Sequence, residues 1–146
     1  MAGTTYGCRL SLDTRRCMER LGIVERGRVQ RVASEEILRL CDTYIPFSEG
    51  NLRDMGHVEY NTEIVWNAPY AHYMYEGIVY EDPVLHCAGF KTENGWRSRK
   101  NVQKVPSDRK IHYNNGSKRG DHWVDRMMNN GGRRKVEEAV RREVEP

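Results

Sequence analysis

Residues 52–66, LRDMGHVEYNTEIVW, decide how the chain is read. The runs Leu52–Tyr60 and Thr62–Trp66 are rich enough in strand-forming residues to pair around Asn61 as a β-hairpin. The preceding segment has a different period. Val29, Val32, Ala33, Ile37, Leu40, Cys41 and Tyr44 fall on one helical stripe, with Arg28, Arg31, Glu35 and Arg39 mostly outside it. Pro46 ends that helix, because the residue before a proline is pushed out of the helical region, and Phe47–Gly50 has turn chemistry. A small antiparallel sheet following helices predicts an α+β fold.

On the N-terminal side, Arg9–Asp13 alternates as a short strand would. Thr14, Cys17, Met18 and Leu21 then recur at helical spacing until Gly22 interrupts them. Beyond the hairpin, Asn67, Ala68 and Pro69 close the second strand. Pro69 at a first helical position starts an aromatic helix, Tyr70 to Tyr75, that stops at Gly77. From Tyr80 to Asn115 the chain is broken by Pro83, Gly89, Asn94, Gly95, Pro106 and Asn114-Asn115-Gly116. This reads as a long irregular loop or extended arm that orders against a neighbouring subunit. Asp121 then caps a helix carrying Trp123, Met127 and Met128. Gly131-Gly132 breaks it, and Val136, Val140 and Val144 line a terminal helix.

The 146 residues suit one domain, 1–146, with one core. That core is lean. Hydrophobic residues make up 38% of the chain and charged residues 31%, and the mean hydropathy is −0.83, so some order is expected to come from neighbours. Lys and Arg (24) nearly balance Asp and Glu (21), and a net charge of +3 does not demand nucleic acid. No apolar leader or membrane-spanning run is seen, which predicts assembly in a cytoplasm without membrane contact. Cys8, Cys17, Cys41 and Cys87 form no CxxC pair and are expected as free thiols. His86 and Cys87, as adjacent residues, make a poor chelate. No metal or cofactor is expected.

No phosphate-binding loop, dinucleotide fingerprint, nucleophile elbow or HExxH is present. An enzyme would have to use loose histidines such as His57 or His122, and no partner group or pocket is specified for either. Glu49–Arg53 could bind an anion, but a single glycine more simply marks a tight turn in which Gly50 adopts a conformation closed to other residues. Aromatic and basic residues interleave between Trp96 and Tyr113, with Arg97, Arg99, Lys100 and Lys104 close together. A small nucleic-acid-binding module would use such a stretch to stack a base on Trp96 and neutralise phosphates. Trp, Tyr and Arg are also the residues favoured at protein interfaces. We therefore read Tyr73, Tyr75, Tyr80, Trp96, Arg97 and Arg99 as candidate interface residues.

The runs YIPFSEGNLRD (44–54) and IVWNAPYAHYMYEG (64–77) together resemble the small minor capsid proteins of long-tailed bacteriophages. The positions carrying the resemblance are Tyr44, Pro46, Gly50, Asn51, Leu52, Arg53, Trp66, Asn67, Pro69, Tyr70, Ala71 and Gly77. Gly27-Arg28-Val29-Gln30 and Gly120-Asp121-His122-Trp123 extend it, so that it spans Leu12 to Met128. Ser48-Glu49 departs from the small or hydroxyl residue more usual beside that glycine. The resemblance implies a non-catalytic virion protein at the head-tail junction, a neck or tail-completion component without cofactor. It implies copies of itself in a ring and connector, tail-terminator or tail-tube proteins as partners, with incidental contact to packaged DNA. A ring of identical subunits requires head-to-tail contacts that close by rotation.

Overall fold

The computed structural model describes residues 13–47, 51–113 and 116–145. The expected strand Arg9–Asp13 and the turn at Gly50 therefore fall wholly or largely outside the described residues.

The chain opens with α1 (Thr14–Leu21). The Asp13 carboxylate accepts from the Arg16 N–H at its start, and Gly22 closes it in the left-handed region, φ 72°. This helix buries none of its residues. The stripe read from Val29 to Tyr44 forms α2 (Arg28–Cys41), which buries Val29, Ser34 and Cys41 and ends before Tyr44, ahead of Pro46, because the Tyr44 and Ile45 N–H groups both turn back to the Cys41 carbonyl. A turn then carries the chain through Tyr44 to Ile45, 1% exposed, and a buried Pro46.

The hairpin forms as β1 (Gly56–Glu59) and β2 (Glu63–Trp66), paired Gly56↔Trp66 through Glu59↔Glu63. Its reversal at Tyr60 and Asn61 takes positive φ at both residues. Ser34 of α2 donates to the Asn61 carbonyl, and the Asn61 amide donates to the Arg26 carbonyl, which pins the tip to the helical layer. The first strand is shorter than expected, since Asn51–Asp54 makes one helical turn, α3. That turn buries Leu52 and sends the Arg53 guanidinium to Asp42 and over the Phe47 ring. An extended Leu52–Asp54 would forgo this arrangement.

Pro69 precedes the aromatic helix instead of opening it. Ala71 donates its N–H to the Ala68 carbonyl across a turn in which proline holds the second position, and α4 (Ala71–Glu76) follows. Gly77 caps it at φ 73°, and a Cβ there would lie 2.8 Å from the Asp121 Cβ. Glycine is thus required both by the backbone and by the neighbour.

The stretch from Tyr80 to Asn115 is more ordered than its punctuation suggests. β3 (Ile78–Glu81) pairs antiparallel with β6 (Val105–Lys110), with a bulge between Ile78 and Tyr80. Between them, β4 (Phe90–Thr92) and β5 (Gly95–Arg97) form a second hairpin with a two-residue loop. Asp82 organises the connection. One of its oxygens accepts from the Val84 and Leu85 N–H groups, and both receive the Arg99 guanidinium at 2.5 and 2.7 Å. Pro106 is tolerated in β6 because that strand lies at a sheet edge. The described residues thus hold three two-stranded antiparallel sheets where one was expected.

Asp121 does not cap the next helix. α5 (Trp123–Met127) begins after His122, whose backbone is left-handed at φ 46° and whose side chain makes no capping bond. The Asp121 carboxylate is taken by Arg126 and His122 instead. A charge-assisted bond to a guanidinium outcompetes a backbone N–H. Past α5, Met128–Gly132 forms a wide helical turn in which Asn130 and Gly131 leave helical geometry, and α6 (Arg133–Val144) continues to the end of the described chain. α6 packs along α2, with Arg28 and Glu143 paired at 2.7 Å.

The core joins Cys41, Ile45, Leu52, Ala68, Ala71, Trp123 and Met127, which come from both ends of the chain. Trp123 meets Trp66 edge-on at 5.6 Å and Tyr75 edge-on at 4.7 Å.

Candidate functional site

The positions carrying the resemblance separate into two groups. Leu52, Ala71 and Trp123 lie in the core, with Tyr44 and Trp66 packed against it and Pro46 and Gly77 buried beside it. Asn67, Pro69 and Tyr70 are exposed, and Asn51 opens α3. Arg53 lies over one aspect of the Phe47 ring at 5.4 Å, and Arg119 approaches the same ring at 5.7 Å. Arg119 also donates to the carbonyls of Asp42 and Ile45, so it closes the end of α2. Nothing in the sequence around Arg119 announces that role.

The aromatic segment is divided by its helix. Tyr75 faces inward onto Trp123 and His122, and burial raises its phenol above the ordinary range, with the Asp125 charge adding to the effect. Tyr73 faces outward. Its ring lies 4.7 Å from that of Tyr80 on β3, with His72 beside both, so α4 and β3 together present a half-exposed aromatic cluster. Such clusters combine apolar area with polar tips and suit protein contact.

The other candidates lie on the arm. Trp96 is 69% exposed and stands directly opposite Lys91, while Arg97 stands opposite Phe90. Opposed residues share a face of a hairpin. One face of β4–β5 therefore carries Trp96 with Lys91, and the other carries Phe90 with Arg97. The indole leans over Gly89, where a Cβ would fall 2.5 Å from its nitrogen. Arg99 is not part of this display, because its guanidinium holds Asp82 and keeps that carboxyl well below the usual carboxylate range. The Asp82-Pro83 pair was the sequence signal for this turn, since Asp side chains accept from backbone N–H groups two and three residues on.

A second uncovered surface lies at the opposite end of the sequence. α1 and the loop after it form an open groove of about 540 Å³, lined by Met18, Ile23 and Val24 and by charges of both signs, Arg15 with Glu19 and Glu25.

Among the described residues, His57 and His122 each pair with one neighbouring carboxylate. His57 bonds Glu59 at 2.9 Å and the Met55 carbonyl, which favours its protonated form. His122 bonds Asp121 at 3.3 Å and meets the Tyr75 ring at a tilt, 5.0 Å between centroids. No group of three or more His, Cys, Asp or Glu converges on a metal position among the described residues, and none of their helices is long and apolar enough to cross a membrane.

No curated protein and no solved structure matches the chain. A model of the minor capsid protein family matches residues 22–116, a span from the Gly22 cap of α1 through α2 and all three sheets. That span contains the Tyr44–Asp54 and Ile64–Gly77 runs and more than half of the chain, and by it the chain belongs to the minor capsid protein family.

Proposed function

We propose that this structural virion protein works in the neck of a tailed bacteriophage, where head joins tail. It would act there without catalysis, associating with copies of itself in a ring and touching connector, tail-terminator or tail-tube proteins. The observation that carries the reading is family membership joined to the way this chain uses its aromatics. Trp66, Tyr75 and Trp123 build the core, whereas Tyr73, Tyr80, Trp96 and Phe90 are presented at or near the surface. A lean core with aromatic side chains left outside suits a subunit completed by its neighbours.

The second reading, a small nucleic-acid-binding module, draws support from Trp96 beside Lys91, Arg97 and Lys100. One experiment separates the two. The mass of the purified protein is measured by light scattering, alone and mixed with neck or tail-tube proteins, and again with DNA at low and moderate salt. A closed oligomer or a discrete complex indifferent to DNA is expected. A monomer that ignores those proteins and binds DNA in a salt-dependent way would replace the structural reading with the nucleic-acid one.

A further inference from the structure

The chain contains three Asn-Gly bonds, at 94–95, 115–116 and 130–131. Asparagine before glycine can cyclise, because the glycine nitrogen lies within reach of the side-chain carboxamide and no Cβ shields it. Folding decides whether the two groups meet. The bond at 115–116 lies partly outside the described residues, and the other two stand in opposite surroundings.

Asn94 is exposed at the tip of the β4–β5 hairpin, and Gly95 begins β5 at φ 99°. A Cβ on Gly95 would meet nothing within 4 Å, so open space surrounds this bond. The Thr92 hydroxyl donates to the Gly95 carbonyl at 2.8 Å and closes the base of the loop without involving the Asn94 side chain. The hairpin itself shows both faces to solvent, with Trp96 69% and Phe90 40% exposed. A two-stranded hairpin of this kind is at best marginally stable in water, and loop tips lie at the low end of local opening energies.

Asn130 is exposed too, yet it is held. Its amide donates to the Tyr44 hydroxyl at 3.0 Å, and its backbone, at φ −103° and ψ 39°, is fixed between α5 and α6. Freeing it requires opening the junction of two helices that carry the buried Met127 and Val136.

We propose that Asn94 is a modification site of this protein, converting to aspartate and isoaspartate through a cyclic imide formed with Gly95. Hydroxide takes the Gly95 N–H proton, and the freed nitrogen attacks Cγ of Asn94. The N–Cγ bond forms as the Cγ–Nδ2 bond breaks, and ammonia leaves with a proton returned by water, which regenerates the hydroxide. Water then adds to either imide carbonyl: opening at Cγ gives aspartate, and opening at the main-chain carbonyl gives isoaspartate. Nothing is oxidised or reduced. The product places a second carboxylate beside Glu93, and its isoaspartyl form adds a methylene to the backbone two residues before the exposed Trp96. The hairpin tip thereby changes both charge and strand register, whatever partner it meets.

The test incubates the full chain at mildly alkaline pH, native and in urea, and follows its tryptic peptides by mass spectrometry. Cleavage after Lys and Arg separates the three bonds into peptides 92–97, 111–118 and 127–133, so each is read without interference from the others. In the native protein the 92–97 peptide is expected to gain one mass unit about tenfold or more faster than 127–133, the ratio that a difference in local opening imposes. In urea, where no fold holds either amide, the two rates should converge. The native rate at Asn94 should rise in proportion to hydroxide, with isoaspartate among the products. Asn94→Gln keeps an amide but requires a six-membered ring, and its peptide should stay unchanged over the same period.

A 92–97 peptide that changes in urea but not in the native protein overturns the proposal, since the hairpin would then shield Asn94. Equal native rates for 92–97 and 127–133 overturn it as well, because the fold would select neither bond. Loss of the amide in Asn94→Gln at the wild-type rate overturns the cyclic route in favour of direct hydrolysis.

Discussion

Replacing Trp123 by alanine and by phenylalanine should give very different losses of stability. Trp123 is 1% exposed and makes edge contacts with Trp66 and Tyr75. Truncating a buried tryptophan to alanine costs about 3–5 kcal/mol. Each aromatic edge contact contributes about 0.5–1.5 kcal/mol beyond area burial, which puts this site at the upper end, about 5 kcal/mol. A domain of this size is stable by about 5–15 kcal/mol in total, so Trp123→Ala should forfeit about a third or more of it. Phenylalanine keeps one ring in place. It also removes an indole N–H that is buried without a partner. Relieving an unpaired buried donor returns about 1–3 kcal/mol and offsets much of the lost ring volume. Trp123→Phe should therefore lose about 1 kcal/mol or less by the same reckoning. Urea unfolding followed by far-ultraviolet circular dichroism measures both. Equal losses for the two variants would show that the indole N–H is engaged and refute the reasoning. A loss below about 2 kcal/mol for Trp123→Ala would remove Trp123 from the centre of the core.

Two further outcomes follow from the arm and the thiols. Arg99 and the Val84 and Leu85 N–H groups depress the Asp82 carboxyl, so their stabilisation is complete above the unfolded carboxylate value, about pH 4, and is lost as pH falls through the lower folded value. Asp82→Asn should abolish that acid dependence and speed proteolytic cleavage between residues 82 and 104 severalfold at neutral pH, as read by limited proteolysis and mass mapping; unchanged cleavage would show that Asp82 does not hold the arm. Burial pushes the Cys41 thiol up to about 12, while Cys17 is exposed. An alkylating reagent near pH 8 should label Cys17 in the native protein and reach Cys41 only after unfolding, since about one Cys41 in 10⁴ is thiolate.

The elements legible in the sequence were those whose signal is local. The stripe from Val29 to Cys41 gave α2, the strand formers on either side of Asn61 gave β1 and β2, and Gly22 and Gly77 marked helix ends because only glycine takes their backbone without strain. The arm was illegible for the opposite reason. β3 and β6 are joined by residues 82–104, and an Asp82–Arg99 pair seventeen residues apart leaves no period to read. Asp121 shows the limit of a local rule: a cap signature is overridden when a guanidinium five residues on competes for the same carboxylate. Among the candidate surface residues, sequence alone could not separate Tyr73 from Tyr75 or Arg97 from Arg99. Two residues apart on a helix turn a side chain through more than half the circle, and one salt bridge withdraws a charge.

The wide turn at Met128–Gly132 has a consequence for how far this fold tolerates change. Met127 and Val136 are both buried, yet nine residues of unbroken α-helix would rotate them about 180° apart and leave one in water. The turn resets the phase between α5 and α6. Asn130 and Gly131 therefore act as a spacer whose length is fixed even though both residues are exposed. Deleting or inserting one residue there would swing the face of α6 by about 100° and carry Val136 away from the helix layer it closes. Substitutions at Asn130 cost at most its amide's bond to the Tyr44 hydroxyl, whereas Gly131 at φ 88° and Gly132, where a Cβ would collide with Met127, admit only glycine, so among relatives this short segment should hold its length and both glycines.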